Sequence, residues 1–471
     1  MLGMTSCVLL AVLAADVSVV SFGAVADGSE KCTRAFAAAI AACEKAGGGR
    51  VVVPQGLYFT GPIHLKSDVE LHLEDGAIVE FSDDPADCLP AVRSSWEGLE
   101  CLNYSPLVYA YCATNVALTG RGTIRSRMGR WAAQMERESV TWTSPEKDWR
   151  YDIQAARAIL YRWGSEDWPV EKRDMTKAHP AVMRPQLVQF NRCKGVRIEG
   201  LHIGDSPFWT IHIFLSRDVA VRGIEVCARG FNNDGIDIEM SQNVLVVDST
   251  FDQGDDCFVL KAGRNRDAWR IGVPTANVEI RNCRVKKAAS LLCVGSELSA
   301  GVRDVWVHDC TAEEVARLFY VKTNHRRGGF VENIRLSRVK AQTMLKVAAV
   351  ETDVLYQWSA FPDYETRITR MSSLSLEDIE IAGARCGIHF AGDARSPISG
   401  ISVKNLKIGR TELFLAGISN AENVSLDGVS GGVCGRVETP WDEDIDAKGD
   451  FNMISKECDQ QPAVKQKGDK Q

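Results

Sequence analysis

Apolar and polar residues alternate in short runs along most of the chain. Each run opens with a polar residue or glycine, followed by an apolar residue, any residue and a second apolar residue, as in DVAVRG from Asp218. This period of two predicts a strand with one buried face. The first apolar position recurs every 23 to 40 residues, mostly at intervals in the twenties. From residue 196 onward these positions are Val196, Val219, Val244, Val278, Val305, Ile334, Leu374, Ile401 and Val424.

A strand pattern repeated at this interval is typical of a solenoid, in which each repeat forms one turn of a coil and stacks on the next. The strands are short and no long helices separate them, which argues against leucine-rich and helical repeats. We therefore predict an all-β fold, a single-stranded right-handed parallel β-helix. Valine, isoleucine, leucine and cysteine would stack inside the coil, and asparagine and aspartate would occupy its turns.

The two ends of the chain depart from this repeat. A helix is predicted for residues 33–46, because apolar residues recur there at helical spacing and Gly47 to Gly49 end it. We expect this helix to cap the coil. Residues 1–16 are either a signal peptide, without the usual basic residue before its apolar stretch, or a ragged leader before the first strand. The β-helix domain is predicted for residues 17–438, and a polar tail for residues 439–471.

An insertion interrupts the repeat at residues 126–184. One interpretation is a folded excursion that packs on the coil. The other is that some of its indole rings form the wall of a sugar subsite, because sugar faces stack on aromatic rings. The insertion holds five of the 11 tryptophans, which are Trp131, Trp142, Trp149, Trp163 and Trp168.

The composition of the chain narrows the choice of partners. Its 471 residues are 45% hydrophobic and carry a net charge of −7, which argues against nucleic acid or a membrane surface as a partner. No apolar run reaches the roughly 18 residues of a transmembrane helix. The 15 cysteines show no zinc-binding spacing. We expect the cysteines in strand-rich runs to be buried thiols, namely Cys193, Cys227, Cys283 and Cys310.

The stretch from Phe231 to Gly263 contains two acidic turns, NNDG with Asp234 and GDDC with Asp255 and Asp256. Asp234 and Asp256 are 22 residues apart, which is one turn of the predicted coil, and neighbouring strands lie about 4.8 Å apart. Clustered carboxyl groups cannot all ionise freely, so this cluster would supply an acid and a base for glycosidic cleavage. The alternatives are that these are plain turn sequences, or a site for calcium.

A basic group follows two or three rungs later, in ARLFYVKTNHRRGG. If its side chains share a face with the acids, they would clamp a carboxylate of the substrate. The alternative is a solvated basic turn. The residues are Arg317, Lys322, His325, Arg326 and Arg327.

These motifs, taken together and in this order, resemble glycoside hydrolase family 28, the polygalacturonase-type enzymes that cleave pectin. The resemblance runs from about Val17 to Gly435 and is strongest to bacterial exo-acting members. It rests on SFGAVADG and AGGGRVVVPQG near the N-terminus, on NNDG and GDDCFVLKAGRN, and on VGSE and VKTNHRRGG. It implies a pectin lyase-like β-helix and an inverting mechanism.

The resemblance also implies a role for each residue of the site. Asp255 would be the general acid, and Asp234 and Asp256 would position and activate the water. Asn232 would support the first turn, and Lys322 would bind a carboxylate of the substrate. Lys261 would anchor the acids or the substrate, and His212, one rung before Asp234, is expected in the cleft, with a structural role as the alternative.

Two positions depart from the family pattern. The family histidine of Gly-His-Gly has no counterpart, and Ser290 lies near its place. The arginine of Arg-Ile-Lys is replaced by Tyr320, while Arg317 matches an arginine of bacterial members. These departures leave the acids intact but change the residues that bind the sugar, for which His325, Arg326 and Arg327 are candidate replacements.

The sequence therefore predicts an inverting hydrolase of α-linked galacturonosyl bonds, exo-acting and monomeric, with a pectic polysaccharide or oligosaccharide as substrate. No metal or organic cofactor is expected, and the protein would act in the extracellular or periplasmic space. The alternatives are hydrolysis of rhamnogalacturonan or another pectic glycan, a calcium-dependent pectate lyase, and a carbohydrate-binding β-helix without activity.

Overall fold

The computed structural model describes residues 16–143, 152–357 and 365–433 of the chain. In this part, 29 strands form one continuous parallel network, and two more form a separate antiparallel hairpin. In chain order the strands are β1 (Val17–Ser18), β2 (Asp27–Lys31), β3 (Gly49–Val53), β4 (Gly56–Thr60), β5 (Ile63–Leu65), β6 (Val69–Leu73), β7 (Ala77–Phe81), β8 (Val92–Trp96), β9 (Leu99–Asn103), β10 (Val108–Tyr111), β11 (Thr114–Gly120), β12 (Thr123–Ser126), β13 (Val188–Asn191), β14 (Lys194–Glu199), β15 (His202–Gly204), β16 (Ile211–Phe214), β17 (Arg217–Arg222), β18 (Glu225–Ala228), β19 (Ile236–Glu239), β20 (Gln242–Val247), β21 (Thr250–Gln253), β22 (Phe258–Lys261), β23 (Thr275–Arg281), β24 (Arg284–Gly295), β25 (Val302–His308), β26 (Thr311–Lys322), β27 (Phe330–Asp353), β28 (Arg370–Ala391), β29 (Ile398–Ser419), β30 (Ala421–Asp427) and β31 (Ser430–Val433).

The parallel strands lie in three stacks, here called sheets 1, 2 and 3, which the chain visits in the repeating order 1, 2, 3. Sheet 1 contains β5, β10, β13, β16, β19 and β22, sheet 2 runs from β1 to β30, and sheet 3 runs from β2 to β31. The long strands β27, β28 and β29 bend through all three sheets. The predicted parallel β-helix is confirmed.

The nine apolar positions that recur in the sequence form one column of stacked side chains in sheet 2. All nine predicted positions pair in unbroken register, from Val196 with Val219 to Ile401 with Val424. Eight of them are buried, and Val424 on the last rung is 37% exposed. The alternation arises because successive side chains of a strand point to opposite faces, so only every second residue joins the core.

The backbone conformation explains why a polar residue precedes each of these strands. Asp218, Asn243, Asn277, Asp304 and Asn333 all have φ between 53° and 59°, in the left-handed region where asparagine and aspartate are tolerated. Their side chains also form a ladder, in which the Asn243 amide donates to Asp218 (2.9 Å) and the Asn277 amide donates to Asn243 (3.2 Å). Each such residue turns the chain into sheet 2.

Helices lie outside the coil. The predicted capping helix is α1 (Thr33–Lys45), which buries Phe36 and Ile40 against the first rungs and ends one residue before the prediction. No helix in the described ranges is long and apolar enough to cross a membrane. The other helices are α2 (Gly129–Thr143), α3 (Ile153–Ser165), α4 (Met175–Ala178) and α5 (Asn265–Ile271), with 3-10 turns at Val19–Phe22, Pro85–Cys88 and Val170–Lys172.

The predicted insertion is a helical excursion, containing α2, α3 and α4. It packs with the hairpin β8–β9, which the sequence did not predict, to form a second apolar cluster around Trp96, Leu160 and Phe208. Trp131 and Trp163 are buried, and Trp168 stacks on Trp163. Trp149, the predicted leader except Asp16, and the predicted tail lie outside the described residues, as does the side chain of Trp142.

The twelve cysteines of the described ranges are free thiols. Cys193, Cys283 and Cys310 are buried as predicted. The prediction for Cys227 is wrong, because this side chain lies on the outward face of β18 and is exposed.

Candidate active site

The two acidic turns occupy the same corner of the coil, where the chain passes from sheet 3 to sheet 1. One turn joins β18 to β19 and the other joins β21 to β22. Ile236 pairs with Phe258 in register, and the Gly235 N–H donates to the Asp256 carbonyl at 2.9 Å. The 22-residue spacing therefore places the turns on adjacent rungs.

Asn233 holds the first turn in shape. Its buried side chain donates to the carbonyls of Ser206 (3.0 Å) and Phe208 (2.8 Å) and accepts from the Gly230 N–H (2.7 Å). Asn232, the residue predicted for this role, is half-buried, lines the cleft and accepts a 3.2 Å hydrogen bond from Arg184. The support therefore comes mainly from the neighbour of the predicted residue.

Lys322 is paired with one of the three carboxylates. Its ammonium group donates a 2.6 Å hydrogen bond to Oδ2 of Asp256. Burial raises the pKa of the Asp256 carboxyl, but the charge and hydrogen bond of Lys322 outweigh it and hold that pKa below its ordinary value. Asp256 is therefore the carboxyl group of this cluster that ionises most readily.

The pKa of the Asp255 carboxyl group is shifted in the opposite direction. Its Oδ1 accepts a 2.9 Å hydrogen bond from the backbone N–H of Asp256. Burial and the negative charge of Asp256 raise the pKa of the Asp255 carboxyl. The pKa values of two adjacent carboxyl groups are thus shifted in opposite directions, so Asp255 holds a proton to higher pH than Asp256 does.

Asp234 is coupled to a carboxyl group that the sequence analysis missed. Burial and the charges of Asp237 and Asp255 raise the pKa of Asp234 well above its ordinary value. Asp237 points outward from β19, is itself fully buried, and burial raises its pKa well above the ordinary value too. Because two neighbouring buried carboxyl groups do not both ionise, this pair retains a proton.

Lys261 supplies positive charge beside this pair. Its Nζ lies 3.1 Å from Oε2 of Glu297, 3.7 Å from Oδ1 of Asp237 and 4.4 Å from the ring centre of Trp209. Burial opposes its charge, but the carboxylates of Glu297 and Asp237 hold its pKa well above the ordinary value. Lys261 is therefore an ammonium group in the lining of the cleft, paired with Glu297 and Asp237 rather than with the predicted Asp255 and Asp256.

The excursion closes one side of the cleft. Glu97, at the tip of the β8–β9 hairpin, accepts a 2.9 Å hydrogen bond from Arg157 of α3. The Glu97 carbonyl accepts a 3.1 Å bond from Arg264, which also pairs with Glu297 on the coil. Charged groups thus tie the hairpin and α3 to the rungs that carry the acids. The resulting cleft holds about 840 Å³ of atom-free space, open in part to solvent.

His212 does not reach the cleft, so the prediction that it is a cleft residue is wrong. It has no exposed surface, and its ring nitrogens lie 2.9 Å from Glu239 and 2.9 Å from Gln189. Its position on β16 does point outward, but Trp209 packs edge-on against it with ring centres 5.2 Å apart. His212 is a structural residue beneath the site.

Arg317 also lies outside the lining of the cleft, contrary to expectation. Its guanidinium pairs with Glu351 and lies 4.2 Å from the ring centre of Tyr320. In register it stacks on Ser290, which stands at the place of the family histidine. The Ser290 side chain contributes to lowering the pKa of Asp256, so this position still faces the acids.

Arg326 and Arg327 line a separate cavity next to the cleft. The two spaces share Arg264 and Gln357 in their walls. The residues that were not predicted come mostly from the excursion and from loops after sheet 1, and only their contacts across long sequence distances reveal them. In the cleft they are Glu97, Arg157, Trp209, Arg264, Glu297, Tyr356 and Gln357.

Neighbouring carboxyl groups with opposed pKa shifts supply an acid and a base at one pH, which is the requirement of glycosidic hydrolysis. The molecule is accordingly a glycoside hydrolase built on a parallel β-helix. Residues 164–429 match the model of the glycosyl hydrolases family 28. The chain belongs to glycosyl hydrolase family 28.

Similar proteins include a bacterial enzyme of known structure, the hyperthermoactive exopolygalacturonase from Thermotoga maritima. It is 34% identical with a TM-score of 0.78, and the match covers 88% of this chain and 92% of that one. The exo-poly-alpha-D-galacturonosidase of Dickeya chrysanthemi is 24% identical over 90% of this chain and 72% of its own length. A probable polygalacturonase of Vitis vinifera is 26% identical over 83% of this chain and 74% of its own.

Proposed function

We propose that the protein hydrolyses α-linked galacturonosyl bonds of pectic polysaccharides or oligosaccharides from a chain end, with inversion. The observation that carries this proposal is the pair of adjacent buried carboxyl groups, of which Asp256 is bound by Lys322 at 2.6 Å and has a lowered pKa while Asp255 has a raised one. The names of the Thermotoga and Dickeya relatives support the substrate and the exo action.

Asp255, the group that retains its proton, protonates the oxygen of the leaving sugar. Asp256, kept ionised by Lys322, accepts a proton from the attacking water, and Asp234 orients that water from the adjacent rung. Water enters on the face opposite the leaving group, so the anomeric configuration inverts. In this scheme Asp255 supplies the proton to the leaving oxygen and Asp256 takes one from water, and no cofactor takes part.

Basic side chains in the cleft offer contacts for an anionic sugar. They are Arg157, Lys261, Arg264 and Lys322, and they stand among five carboxyl groups, Glu97, Asp234, Asp255, Asp256 and Glu297. Lysine and arginine bind carboxylates by charge-assisted hydrogen bonds. These lysines also supply, beside the acids, the positive charge that a lyase would obtain from calcium, which favours hydrolysis over elimination.

The exo action follows from the excursion. The hairpin tip at Glu97 and helix α3 with Arg157 stand at one side of the cleft, and a polymer would meet them if it continued in that direction. A chain end would fit against this wall. Pectic polysaccharides lie outside the cell, which supports an extracellular or periplasmic site of action, and the proposed enzyme acts as a monomer.

Another pectic glycan is the second candidate at the cleavage subsite. It is favoured by Ser290 and Tyr320 standing where family members have histidine and arginine. Products from polygalacturonate, rhamnogalacturonan and their oligomers distinguish the two candidates, and a rhamnogalacturonan-only activity would overturn the first.

The test of the acid is Asp255→Asn, compared with wild type on defined oligogalacturonates. We expect kcat to fall by about 10²- to 10⁴-fold, the usual contribution of a general acid. The control is Asp248→Asn, a left-handed corner residue far along the rung whose side chain accepts only from Asn282 at 3.2 Å. Equal turnover by wild type and Asp255→Asn would refute the catalytic assignment and favour a binding protein.

Chain-end action is read from the products. An exo-enzyme releases one small product from the start and lowers the viscosity of polygalacturonate slowly relative to the reducing ends formed. A rapid fall in viscosity with a ladder of oligomers would instead show endo action. Formation of reducing ends that continues in EDTA, without ultraviolet-absorbing unsaturated products, separates hydrolysis from calcium-dependent lyase chemistry.

A further inference from the structure

Arg184 lies at the corner of the coil that carries the first acidic turn. It precedes β13, and the strands β13, β16 and β19 stack in register from this corner. The chain enters β16 after Pro207 and enters β19 after Phe231. Arg184 is 1% exposed, so a buried cation stands where three successive rungs meet, two rungs from its own strand to that of the acidic turn.

Every N–H of the Arg184 guanidinium has an acceptor. Nε and Nη2 both donate to Oε2 of Glu138, at 3.0 and 2.7 Å. Nη1 donates to the carbonyls of Pro207 and, at 3.2 Å, Phe231, while Nη2 also donates to Oδ1 of Asn232 at 3.2 Å. An arginine offers five N–H donors in a rigid plane, and these five hydrogen bonds use all of them. The arrangement therefore requires an arginine and not merely a cation.

These bonds join the first acidic turn to the helical excursion. Glu138 lies on α2 and is 3% exposed, while Phe231 and Asn232 belong to the turn that leads to Asp234. A buried ion pair is stable only where good geometry and further hydrogen bonds offset the loss of water. Displacing either α2 or the turn would leave a buried charge without its partners, so the pair holds both in one arrangement.

Arg184 and Asn233 hold different parts of this turn. The Asn233 side chain accepts from the Gly230 N–H and donates to the carbonyls of the preceding rung. It makes no printed bond to Phe231 or Asn232, and these are the two residues of the turn that Arg184 contacts. The two side chains together fix the turn from both sides.

We propose that Arg184 is a positioning residue for the first acidic turn, and that Glu138 acts on this turn through Arg184. The inference rests on the proposed function, because it gives Arg184 the task of keeping Asp234 in register with Asp255. Arg184 is buried and does not belong to the lining of the cleft, so it acts through the turn and not on the sugar. A displacement of about 1 Å at a reacting group is enough to lower turnover by about 100-fold.

Hydrogen exchange followed by mass spectrometry tests the positioning without any substrate. Arg184→Lys keeps the charge but has only three donors on a flexible stem. Amides of residues 229–236 are expected to exchange about 10-fold faster in this variant than in wild type, the effect of about one lost hydrogen bond. Amides of residues 242–247, in sheet 2 on the same rung, should exchange as in wild type.

Turnover of defined oligogalacturonates measures the catalytic consequence. In Arg184→Lys, kcat should fall by about 10- to 100-fold while KM changes by less than about 3-fold, because the turn orients the water of the transition state. Glu138→Gln is isosteric and lies outside the lining of the cleft, and it should change exchange and kcat in the same direction. The double variant should lose less than the product of the two effects, since both substitutions act on one pair.

Arg173→Lys is the matched control. Arg173 is also 1% exposed and forms a bidentate pair with Asp267, with Nη2 2.9 Å from Oδ1. Its other hydrogen bonds go to backbone carbonyls of the hairpin and the excursion, so it ties the excursion to α5 without a hydrogen bond to either acidic turn of the described chain. This variant should keep the wild-type kcat and the wild-type exchange of residues 229–236. Melting temperatures establish that each variant is folded, and Glu138→Gln carries the comparison if Arg184→Lys does not fold.

Three results would overturn the proposal. The first is wild-type exchange of residues 229–236 in the folded variants, and the second is faster exchange there with an unchanged kcat. The third is an equal loss in Arg173→Lys, or faster exchange along the whole coil, which would make the Arg184 pair a source of overall stability only. A wild type inactive on every galacturonate would refute the proposed function instead, and the exchange of residues 229–236 would still decide whether Arg184 positions the turn.

Discussion

Lys322 determines which carboxyl group of the site is ionised. Its ammonium group is the main influence that lowers the pKa of Asp256 against burial. Asp255, one residue earlier, has no such direct partner and has a raised pKa. A single lysine therefore assigns the acid and the base, in addition to any contact that it makes with the substrate.

The pH profile of Lys322→Gln tests this assignment. Asp256 must be ionised to act as the base, so activity is lost as the pH falls through its pKa. Without Lys322 that pKa rises, and the acid limb of kcat/KM should move to higher pH. Lys322→Arg keeps the charge and should keep the limb nearer its wild-type position. If the acid limb of kcat/KM does not move in Lys322→Gln, Lys322 acts only by binding the substrate and does not set the pKa of Asp256.

At this scale the sequence located Asp234, Asp255, Asp256 and Lys322 correctly in the cleft. It could not locate Asp237, because an acidic residue at an outward strand position looks like ordinary solvent-facing alternation. It misplaced His212 because the residues that cover its outward position, Trp209, Gln189 and Glu239, give no periodic signal in the sequence.

Among the structural elements, the corner that opens each strand of sheet 2 is the most regular. Its residue is left-handed and its side chain bridges neighbouring rungs, as Asn243 does between Asp218 and Asn277. Backbone strain and a hydrogen-bond ladder are therefore combined at one position. Two substitutions can separate them.

Asn243→Ala and Asn243→Gly both remove the ladder bonds, but only alanine keeps a Cβ in the left-handed conformation. Alanine should therefore be less stable than glycine by about 1–2 kcal/mol, offset in part by the greater flexibility of unfolded glycine. Chemical denaturation measures the difference. If both variants lose the same stability, the hydrogen bonds rather than the backbone conformation account for the asparagine.

The coil was predictable as an element because its alternation and its interval both follow from strand geometry. The hairpin β8–β9 was not, since it is an antiparallel pair inserted at one corner of the coil, between β7 and β10, and its strands do not carry the alternation of the repeat. The helices of the excursion bury their apolar residues against that hairpin, and such distant pairing leaves no periodic signal.

Over the whole molecule, the coil is held by stacked side chains and not by cross-links. The twelve cysteines of the described ranges are free, and three of the four singled out in strands are buried in the coil. The core cluster runs without interruption from Val19 to Ile418. Thiol chemistry therefore contributes little to holding the described fold together.

We expect the melting temperature to be the same with and without a reducing agent. Loss of a structural disulfide would cost about 2–5 kcal/mol and lower the melting temperature by several degrees. Thiol titration of the unfolded, unreduced protein should find the twelve cysteines reactive. A marked fall in melting temperature on reduction would reveal a disulfide that supports the fold.

The corner between sheets 3 and 1 has a consequence for how such an enzyme evolves. Both catalytic turns occur there, and so do the hairpin and the helical excursion, inserted a few rungs earlier between β7 and β10 and between β12 and β13. The register of the strands passes unbroken beneath all of them. The wall at one side of the cleft can thus lengthen or shorten while the acidic turns keep their place, so that the proposed chain-end selection and the proposed bond cleavage can change independently.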